Sequence, residues 1–361
     1  MMKIKIVMIT ITEKCNLDCI YCYEDYKSNK TIDKELALSI IDKELRTDDG
    51  YDTVEIDFHG GEPFLCFELI KDICETVWER NYKKKFYFFA TTNGSVVDEE
   101  VKSWLLKNRN RFICSISLDG NKTMHDINRS NSFDKIDYLF FVNTWPEQEI
   151  KMTISEHSLP YLFEGIKFLH ENGFVIAENF AYGIDWSDDE NIRILTRELY
   201  KLIDFYLERP QLKRCKLLSM PIEYMALEDS DNLMCGIGSG MKVFDTEGNL
   251  YPCHFFQPNS VGMELSKKSK EIDFSNKSLF VDNDCNGCEL KNVCPTCYGA
   301  NYSSTGNVAV RDKSMCNLNK VAVKATAYLY FRLIDRYGIS VLNCSKEEEK
   351  AILAAIRRIN K

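Results

Sequence analysis

The run Cys15-Asn16-Leu17-Asp18-Cys19-Ile20-Tyr21-Cys22 follows almost directly on an apolar segment, Lys3–Ile11, that reads as the first strand of the chain. A C-x3-C-x2-C loop supplies three thiolates to a 4Fe-4S cluster and leaves one iron without a protein ligand, open to a small molecule that can chelate it. The competing assignment is a structural zinc knuckle, but zinc favours four closed ligands and C-x2-C pairs. The spacing behind a strand therefore points to a cluster on a loop at a strand's C-terminal end.

Bulk properties narrow the setting. A chain of 361 residues with 45% hydrophobic content has room for one large or two moderate domains and a full core. No stretch approaches the roughly 20 apolar residues of a membrane span, and the N-terminus lacks a signal-peptide pattern, so a cytoplasmic location and no membrane partner are expected. Fifteen cysteines in a reducing compartment are better read as metal or cluster ligands than as disulfides. A net charge of −9 argues against a nucleic-acid partner. The run Lys83-Lys84-Lys85 reads as a solvated helix end.

Through residue 209, strand-like and helix-like patterns alternate. Candidate strands are Lys3–Thr10, Val54–His59, Lys85–Thr91, Arg111–Leu118, Glu149–Ser155 and Val175–Phe180, each short and rich in β-branched or aromatic residues. Helical faces are marked by Leu36, Ile40 and Leu45, then by Leu69, Ile73 and Val77. Asp98 suits an N-cap, Gly173 suits the stop after Leu162, Ile166 and Leu169, and a sixth helix is expected over Glu190–Leu207. Six β-α units imply a parallel sheet with right-handed crossovers, as an open sheet or an incomplete barrel.

The cysteine loop, with Tyr21 in the aromatic slot before Cys22, resembles the radical S-adenosylmethionine (SAM) superfamily. The resemblance implies that SAM's amino and carboxylate groups occupy the open iron and that the reduced cluster cleaves SAM to a 5′-deoxyadenosyl radical. It selects an α/β partial (β/α)6 barrel over residues 1–209, with ligands at the C-terminal strand ends. His59-Gly60-Gly61-Glu62-Pro63, after the second strand, is similar to the superfamily's GGE motif. Glycines there let the backbone approach an ammonium group, and Glu62 adds complementary charge; a helix-starting Glu-Pro turn is the simpler alternative. Asn93, in Thr91-Thr92-Asn93-Gly94, falls where relatives contact substrate or SAM. Ser117 and Arg129 match a serine and an arginine that hold the SAM carboxylate in peptide-modifying relatives, a role that suits a forked guanidinium; Arg129 capping a loop is the alternative.

Past a bridging segment, 210–233, the cysteines thicken. A glycine-rich turn, Met234–Gly240, precedes Phe244–Cys253, which reads as a hairpin turning at Glu247-Gly248-Asn249. Cys235, Cys253, Cys285, Cys288, Cys294, Cys297 and Cys316 together resemble the SPASM domain of radical SAM enzymes that mature peptides and proteins, placed here at 234–320, with C-terminal helices over 321–361. The resemblance implies two auxiliary 4Fe-4S clusters, three in all: a far one on Cys285, Cys288, Cys294 and Cys316, and a near one on Cys235, Cys253 and Cys297. A four-cysteine zinc site on Cys285, Cys288, Cys294 and Cys297 is the alternative, but it leaves three cysteines unassigned. Two departures stand out. Cys297 follows Cys294 after two residues where the usual pattern has three. No cysteine stands a few residues before Cys235, leaving either Cys215 as a fourth ligand or an open iron.

The function implied is a maturase of a ribosomally made peptide, forming a thioether or other side-chain crosslink while the auxiliary clusters accept the electron. In anaerobic sulfatase maturases, the residue after the Tyr-Pro-Cys turn is an aspartate assigned as base; here it is His254, a base candidate near neutral pH. The alternative within the class is oxidation of a protein Cys or Ser to formylglycine. Outside it stand a non-catalytic iron-sulfur carrier, against which Gly60-Gly61-Glu62 and Arg129 argue, and a zinc-binding module. Expected partners are the precursor peptide and a one-electron reductant such as flavodoxin or ferredoxin; because the chain starts almost at its first strand, the leader is expected to be recognised by a separate leader-binding protein, by the SPASM region with the bridging segment Pro210–Leu233, or by an exposed sheet edge. Cys66, Cys74 and Cys114 read as small hydrophobes. Ile352, Ile356 and Ile359 mark the apolar face of a docked terminal helix.

Overall fold

The computed structural model describes residues 3–226 and 235–359. Strand β1 (Ile4–Thr12) is hydrogen-bonded in parallel on both edges, to β2 (Thr53–Gly60) on one side and to β7 (Met241–Phe244) on the other. Beyond β2 lie β3 (Lys85–Thr92) and β4 (Phe112–Ile116), and beyond β7 lies the antiparallel β8 (Leu250–Tyr251), giving the order β4-β3-β2-β1-β7-β8. A separate parallel pair, β5 (Glu149–Ile154) and β6 (Val175–Phe180), continues the curve. It joins β4 through one bridge, Ser117 to Lys151, and the Leu118 amide donating to the Lys151 carbonyl at 2.9 Å. Strands β1 to β6 thus run in chain order as an open parallel barrel.

The reason is legible in β2. Val54, Ile56 and Phe58 are buried on the outer face, while Glu55, Asp57 and His59 alternate inward. The outer face is covered by α1 (Lys34–Arg46), α2 (Phe67–Trp78), α3 (Glu99–Asn108), α6 (Leu162–Glu171) and α7 (Asp189–Glu208), whose apolar sides share one core with the strands. Asp33, Asp98 and Asp188 cap α1, α3 and α7 by accepting from amides of the first turn. Gly173, at φ 81°, ends α6. Two short helices, α4 (Lys122–Asn128) and α5 (Tyr138–Thr144), fill the β4–β5 crossover. At seven residues each, they are too short for a periodic signal.

The hairpin forms as its turn chemistry dictates. Asp245 accepts from the Glu247 and Asn249 amides, and Gly248 takes φ 80°. Its placement changes the expected domain plan: β7 extends the barrel sheet, so the hairpin of the cysteine-rich segment is built into the barrel. The boundary expected at 320/321 falls inside a helix, because α10 (Cys316–Tyr337) starts at the last cysteine of the series and packs along α7. Between the hairpin and α10 lie α8 (Pro258–Ser269), interrupted at Gly262 with φ 76°, and α9 (Tyr298–Thr305). The tail forms α11 (Lys346–Ile359), with Ile352 and Ile356 buried. Residues 227–233 of the bridging segment, and Met234 of the glycine-rich turn, lie outside the described residues.

Beneath the barrel, Lys5 of β1 is buried at 2% exposure, its ammonium 2.7 Å from Glu44 of α1. Glu44 also takes Lys242 of β7 at 2.8 Å, while Asp49 takes Lys5 and Lys84. Lys84 is therefore held in an ion pair, not solvated as the lysine run suggested. Glu44 thus ties β1 and its β7 neighbour to α1. Replacing Glu44 by alanine leaves the buried Lys5 with Asp49 as its one remaining carboxylate and Lys242 without its partner, and we expect a loss of about 2–3 kcal/mol in urea unfolding; a loss under about 1 kcal/mol would show the network to be peripheral.

At the opposite end, the glycines of β2 meet backbone. A Cβ on Gly60 would stand 2.1 Å from the Thr12 carbonyl oxygen, and one on Gly61 2.4 Å from that of Lys14. The Gly61 amide donates to Thr12 at 3.0 Å and the Glu62 amide to Lys14 at 2.8 Å. Gly61→Ala must push the start of the cysteine loop aside, so iron bound after reconstitution should drop while far-ultraviolet circular dichroism is retained; parental iron content would contradict this.

Candidate active site

At the C-terminal strand ends, a cavity of about 700 Å³ opens and runs down into the barrel. Cys15, Cys19 and Cys22 line it. Their loop is pinned from two sides. The Asn93 side-chain amide donates to Asn16 at 2.9 Å, and Asn16 donates to Ser95 at 2.8 Å. From the α4 side, Asn128 accepts from the Ile20 amide at 3.1 Å and Ser130 from the Asp18 amide at 3.0 Å. Burial pushes the Cys19 thiol up to about 11, with Arg129 opposing and Cys22 and Cys15 adding to the shift. Among the described residues, no three His, Cys, Asp or Glu side chains converge as around a single ion. Three thiols on one cavity are the donor set that a 4Fe-4S cluster would take, leaving one iron open.

Glu62 and Arg129 both reach this cavity, but differently. Glu62 is buried: it accepts from the Phe64 amide at 3.0 Å, the Thr92 hydroxyl at 2.7 Å and the Asn93 amide at 2.7 Å. Burial raises its pKa against those hydrogen bonds. It acts as a strut between the ends of β2 and β3, and with a single hydrogen bond on Oε2 it still borders the cavity. The two glycines likewise serve the approach of β2 to the cysteine loop.

Arg129 donates through Nε to Asp119 at 3.0 Å and lies over the Tyr21 ring, 5.4 Å from its centroid. Asp119 is fully buried and also accepts from Tyr21 at 2.5 Å, Asn128 at 3.0 Å and the Thr153 amide at 2.8 Å. Fixing Nε leaves the terminal fork of Arg129 without a hydrogen-bond partner among the described residues, at the cavity wall. Ser117, half-buried on the same wall, has its amide tied to Thr92 at 2.9 Å, with no protein partner for its hydroxyl among the described residues. His125, whose Nδ1 accepts from the Asp119 amide at 3.2 Å, is held neutral, with burial lowering its pKa to about 4.

The C-terminal cysteines fall into two groups. Cys285, Cys288, Cys294 and Cys316 line a second cavity of about 320 Å³. Cys294 feels the charges of Arg311, Cys316 and Cys285, and Asn319 donates to its sulfur at 3.4 Å. Cys297 also borders this cavity, yet its charge neighbours are Cys253 and Cys235, and burial pushes its thiol up to about 12. Cys215 does not join them. It is buried with its amide donating to Tyr206 at 2.9 Å and with Glu178 beside it. Among the described residues, no fourth cysteine joins the set of Cys235, Cys253 and Cys297.

His254 lines the first cavity and packs between His59, Tyr23 and Phe255, at ring distances of 5.1, 5.3 and 5.0 Å. Burial lowers its pKa to about 4, so at pH 7 it is the neutral imidazole, the form able to accept a proton, with Nδ1 3.8 Å from the Cys253 sulfur. Sequence reasoning missed Asp119, Lys27, Tyr23 and Asp57. Lys27 donates to the Cys22 sulfur at 3.1 Å. Tyr23, stacked on Phe255 at 4.3 Å, has Cys22, Cys253 and Cys297 among its charged neighbours, so it spans the space between the two cysteine sets. Its position directly after Cys22 was the available signal. For Asp57 the signal was the alternation Glu55, Asp57, His59 against Val54, Ile56, Phe58.

This geometry has counterparts. A cysteine-type anaerobic sulfatase-maturating enzyme of Clostridium perfringens (strain ATCC 13124 / Type A) is 24% identical over 317 residues, covering 78% of this chain and 84% of the relative. The radical SAM cyclopropyl synthase TigE of Paramaledivibacter caminithermalis is 22% identical, covering 92% and 75%. Among solved structures, anSMEcpe with bound AdoMet superposes with a TM-score of 0.70 at 22% identity, covering 97% of this chain and 98% of that one. Streptococcus suis SuiB bound to its precursor peptide SuiA gives 0.58 at 17% identity, covering 86% and 76%. The Radical SAM superfamily model matches residues 9–197, from β1 into α7 and so through every strand of the barrel, and the chain is a radical SAM superfamily enzyme.

Proposed function

We propose that the enzyme is a maturase that modifies a ribosomally made peptide, using SAM and three 4Fe-4S clusters. The observation that carries this reading is the shared cavity: the cysteine loop, Arg129 and Ser117 line it together with His254 and Phe255 of the cysteine-rich segment. SAM bound at the cluster supplies a 5′-deoxyadenosyl radical able to take hydrogen from an unactivated C–H bond. The chain's own part is positional. The cysteine loop holds the cluster, the Arg129 fork and the Ser117 hydroxyl hold the SAM carboxylate, and the wall of Tyr23, Tyr182, His254 and Phe255 keeps water from the reacting carbon. The C-terminal cysteines would hold two auxiliary clusters, which would supply an electron acceptor for closure of the new bond, with flavodoxin or ferredoxin as the external reductant.

The bond we favour is a thioether or other side-chain crosslink. Cys235, Cys253 and Cys297 form a set of three, which leaves an auxiliary cluster with room for a substrate thiol. Oxidation of a Cys or Ser to formylglycine has equal support from the relatives, since sulfatase-maturating enzymes and peptide maturases both resemble the chain. The two differ in the fate of sulfur. A thioether keeps it in the peptide with loss of two hydrogen atoms, whereas formylglycine made from cysteine releases it as sulfide. Mass spectrometry of a cysteine-bearing precursor encoded beside the gene, with sulfide assayed in parallel, separates them.

Replacing Cys15, Cys19 and Cys22 together by alanine should abolish 5′-deoxyadenosine release while iron bound by the C-terminal cysteines persists. Undiminished release would remove the assignment of these ligands. Arg129→Lys keeps the charge but cannot engage Asp119 through Nε and a carboxylate through a planar fork at once. SAM affinity should fall by about tenfold in equilibrium dialysis, equivalent to about 1.4 kcal/mol; an unchanged affinity would leave Arg129 with a loop-capping role only.

A further inference from the structure

Barrel interiors are ordinarily packed with branched apolar side chains. This one is hollow below the strand ends and carries polar side chains among its apolar ones: Glu55 and Asp57 of β2, Tyr87 of β3, Lys151 and Thr153 of β5 and Asn179 of β6 all face the 700 Å³ cavity. Glu55 accepts from the Tyr87 hydroxyl. Of the two carboxylates on β2, Asp57 is the one left open. It is 9% exposed and accepts no hydrogen bond from any described residue, with Met8 of β1 and Phe89 of β3 as its cross-strand neighbours. The charged groups that act on it are His59, Glu55 and Lys151. Lys151 is exposed and forms no ion pair among the described residues, so Asp57 keeps its free coordination toward the cavity.

A buried carboxylate without a partner costs stability and gives a fold nothing in return. Such groups persist where a ligand completes them. We propose that Asp57, with Glu55 one inward position below it, forms a subsite that seats a cationic group of the substrate, an ammonium or guanidinium, beneath the carbon that loses hydrogen. The subsite rests on the peptide reading for the source of that cation, which is a lysine or arginine side chain or the free N-terminus. The depth of the cavity makes this a means of register. A charged group anchored on the barrel floor fixes which neighbouring residue stands at the strand ends, where the radical is formed. Burial raises Asp57 to about 7, with Glu55 adding and His59 and Lys151 opposing, so without a counter-charge it is half-protonated near neutrality and a bound cation would draw it to the carboxylate.

The test uses the reconstituted holoenzyme with SAM, without reductant, and n-butylammonium as the probe. Saturation-transfer NMR should show n-butylammonium bound about tenfold more tightly than n-butanol, and Asp57→Asn should erase that preference. Equal binding of the two probes to the parent, or a preference that survives in Asp57→Asn, overturns the subsite. Thermal melting supplies an independent readout, since removing an unpartnered buried charge should leave the melting temperature of Asp57→Asn at or above the parental value. A lower one would make the carboxylate a structural element and overturn the proposal. Two capped pentapeptides, with lysine or norleucine at the centre, and the norleucine peptide with a free N-terminus then identify the source of the cation. Should n-butylammonium depend on Asp57 while no peptide displaces it, the subsite stands and the peptide reading is the part that fails.

Discussion

Strand β1 carries hydrogen bonds on both edges, and this double pairing sets the relation between the two halves of the site. Its C-terminal end launches the cysteine loop, its β2 edge brings the glycine turn against that loop, and its β7 edge brings in the hairpin that bears Cys253 and His254. The Lys5–Glu44–Lys242 network ties β1 and β7 to α1 from below. An error in the register of β1 would flip its inward and outward side chains together, so the cysteine loop and the hairpin are placed by one constraint. That is why a segment 230 residues downstream can wall the cavity in which the first cysteines sit.

Within the cavity, positioning is layered. The groups whose side chains are spent on the protein, Glu62, Asp119 and Asn93, hold the groups whose atoms remain open, the three thiols, the Arg129 fork and the Ser117 hydroxyl. Asp119 is the hub: one carboxylate orients Tyr21, Asn128 and Arg129, and it also fixes β5 through the Thr153 amide. Oriented, desolvated donors of this kind need little reorganisation when a charged ligand arrives. Tyr23 and Phe255 continue the wall toward Cys253 and Cys297, so the aromatic layer that shields the cavity is also the layer between the cysteine sets.

Much of this was legible in the sequence, and what was missed has physical reasons. The C-x3-C-x2-C loop, the six strands and the Asp98 cap depend on local spacing, which a linear pattern records. The roles of Glu62 and the glycines do not: they are set by a close approach between β1 and β2, 48 residues apart in the Thr12–Gly60 pairing. Asp119 drew no reading from the sequence, because nothing local shows that Tyr21 and Arg129 converge on it. The hairpin was recognised from its turn residues, but its pairing with β1 is a long-range choice, so the cysteine-rich segment looked more separate than it is. Cys215 was a candidate ligand by elimination alone, and burial beside Tyr206 removes it.

The central claim is that the C-terminal cysteines carry an electron away from the substrate while the first three serve only radical formation. The most direct measurement replaces Cys285 and Cys288 together by alanine, checks the fold by circular dichroism because cluster binding can drive folding, and assays 5′-deoxyadenosine and modified peptide in the same reaction. The account predicts that 5′-deoxyadenosine continues to form while modified peptide falls. Modified peptide at the parental rate from the folded double variant would contradict it.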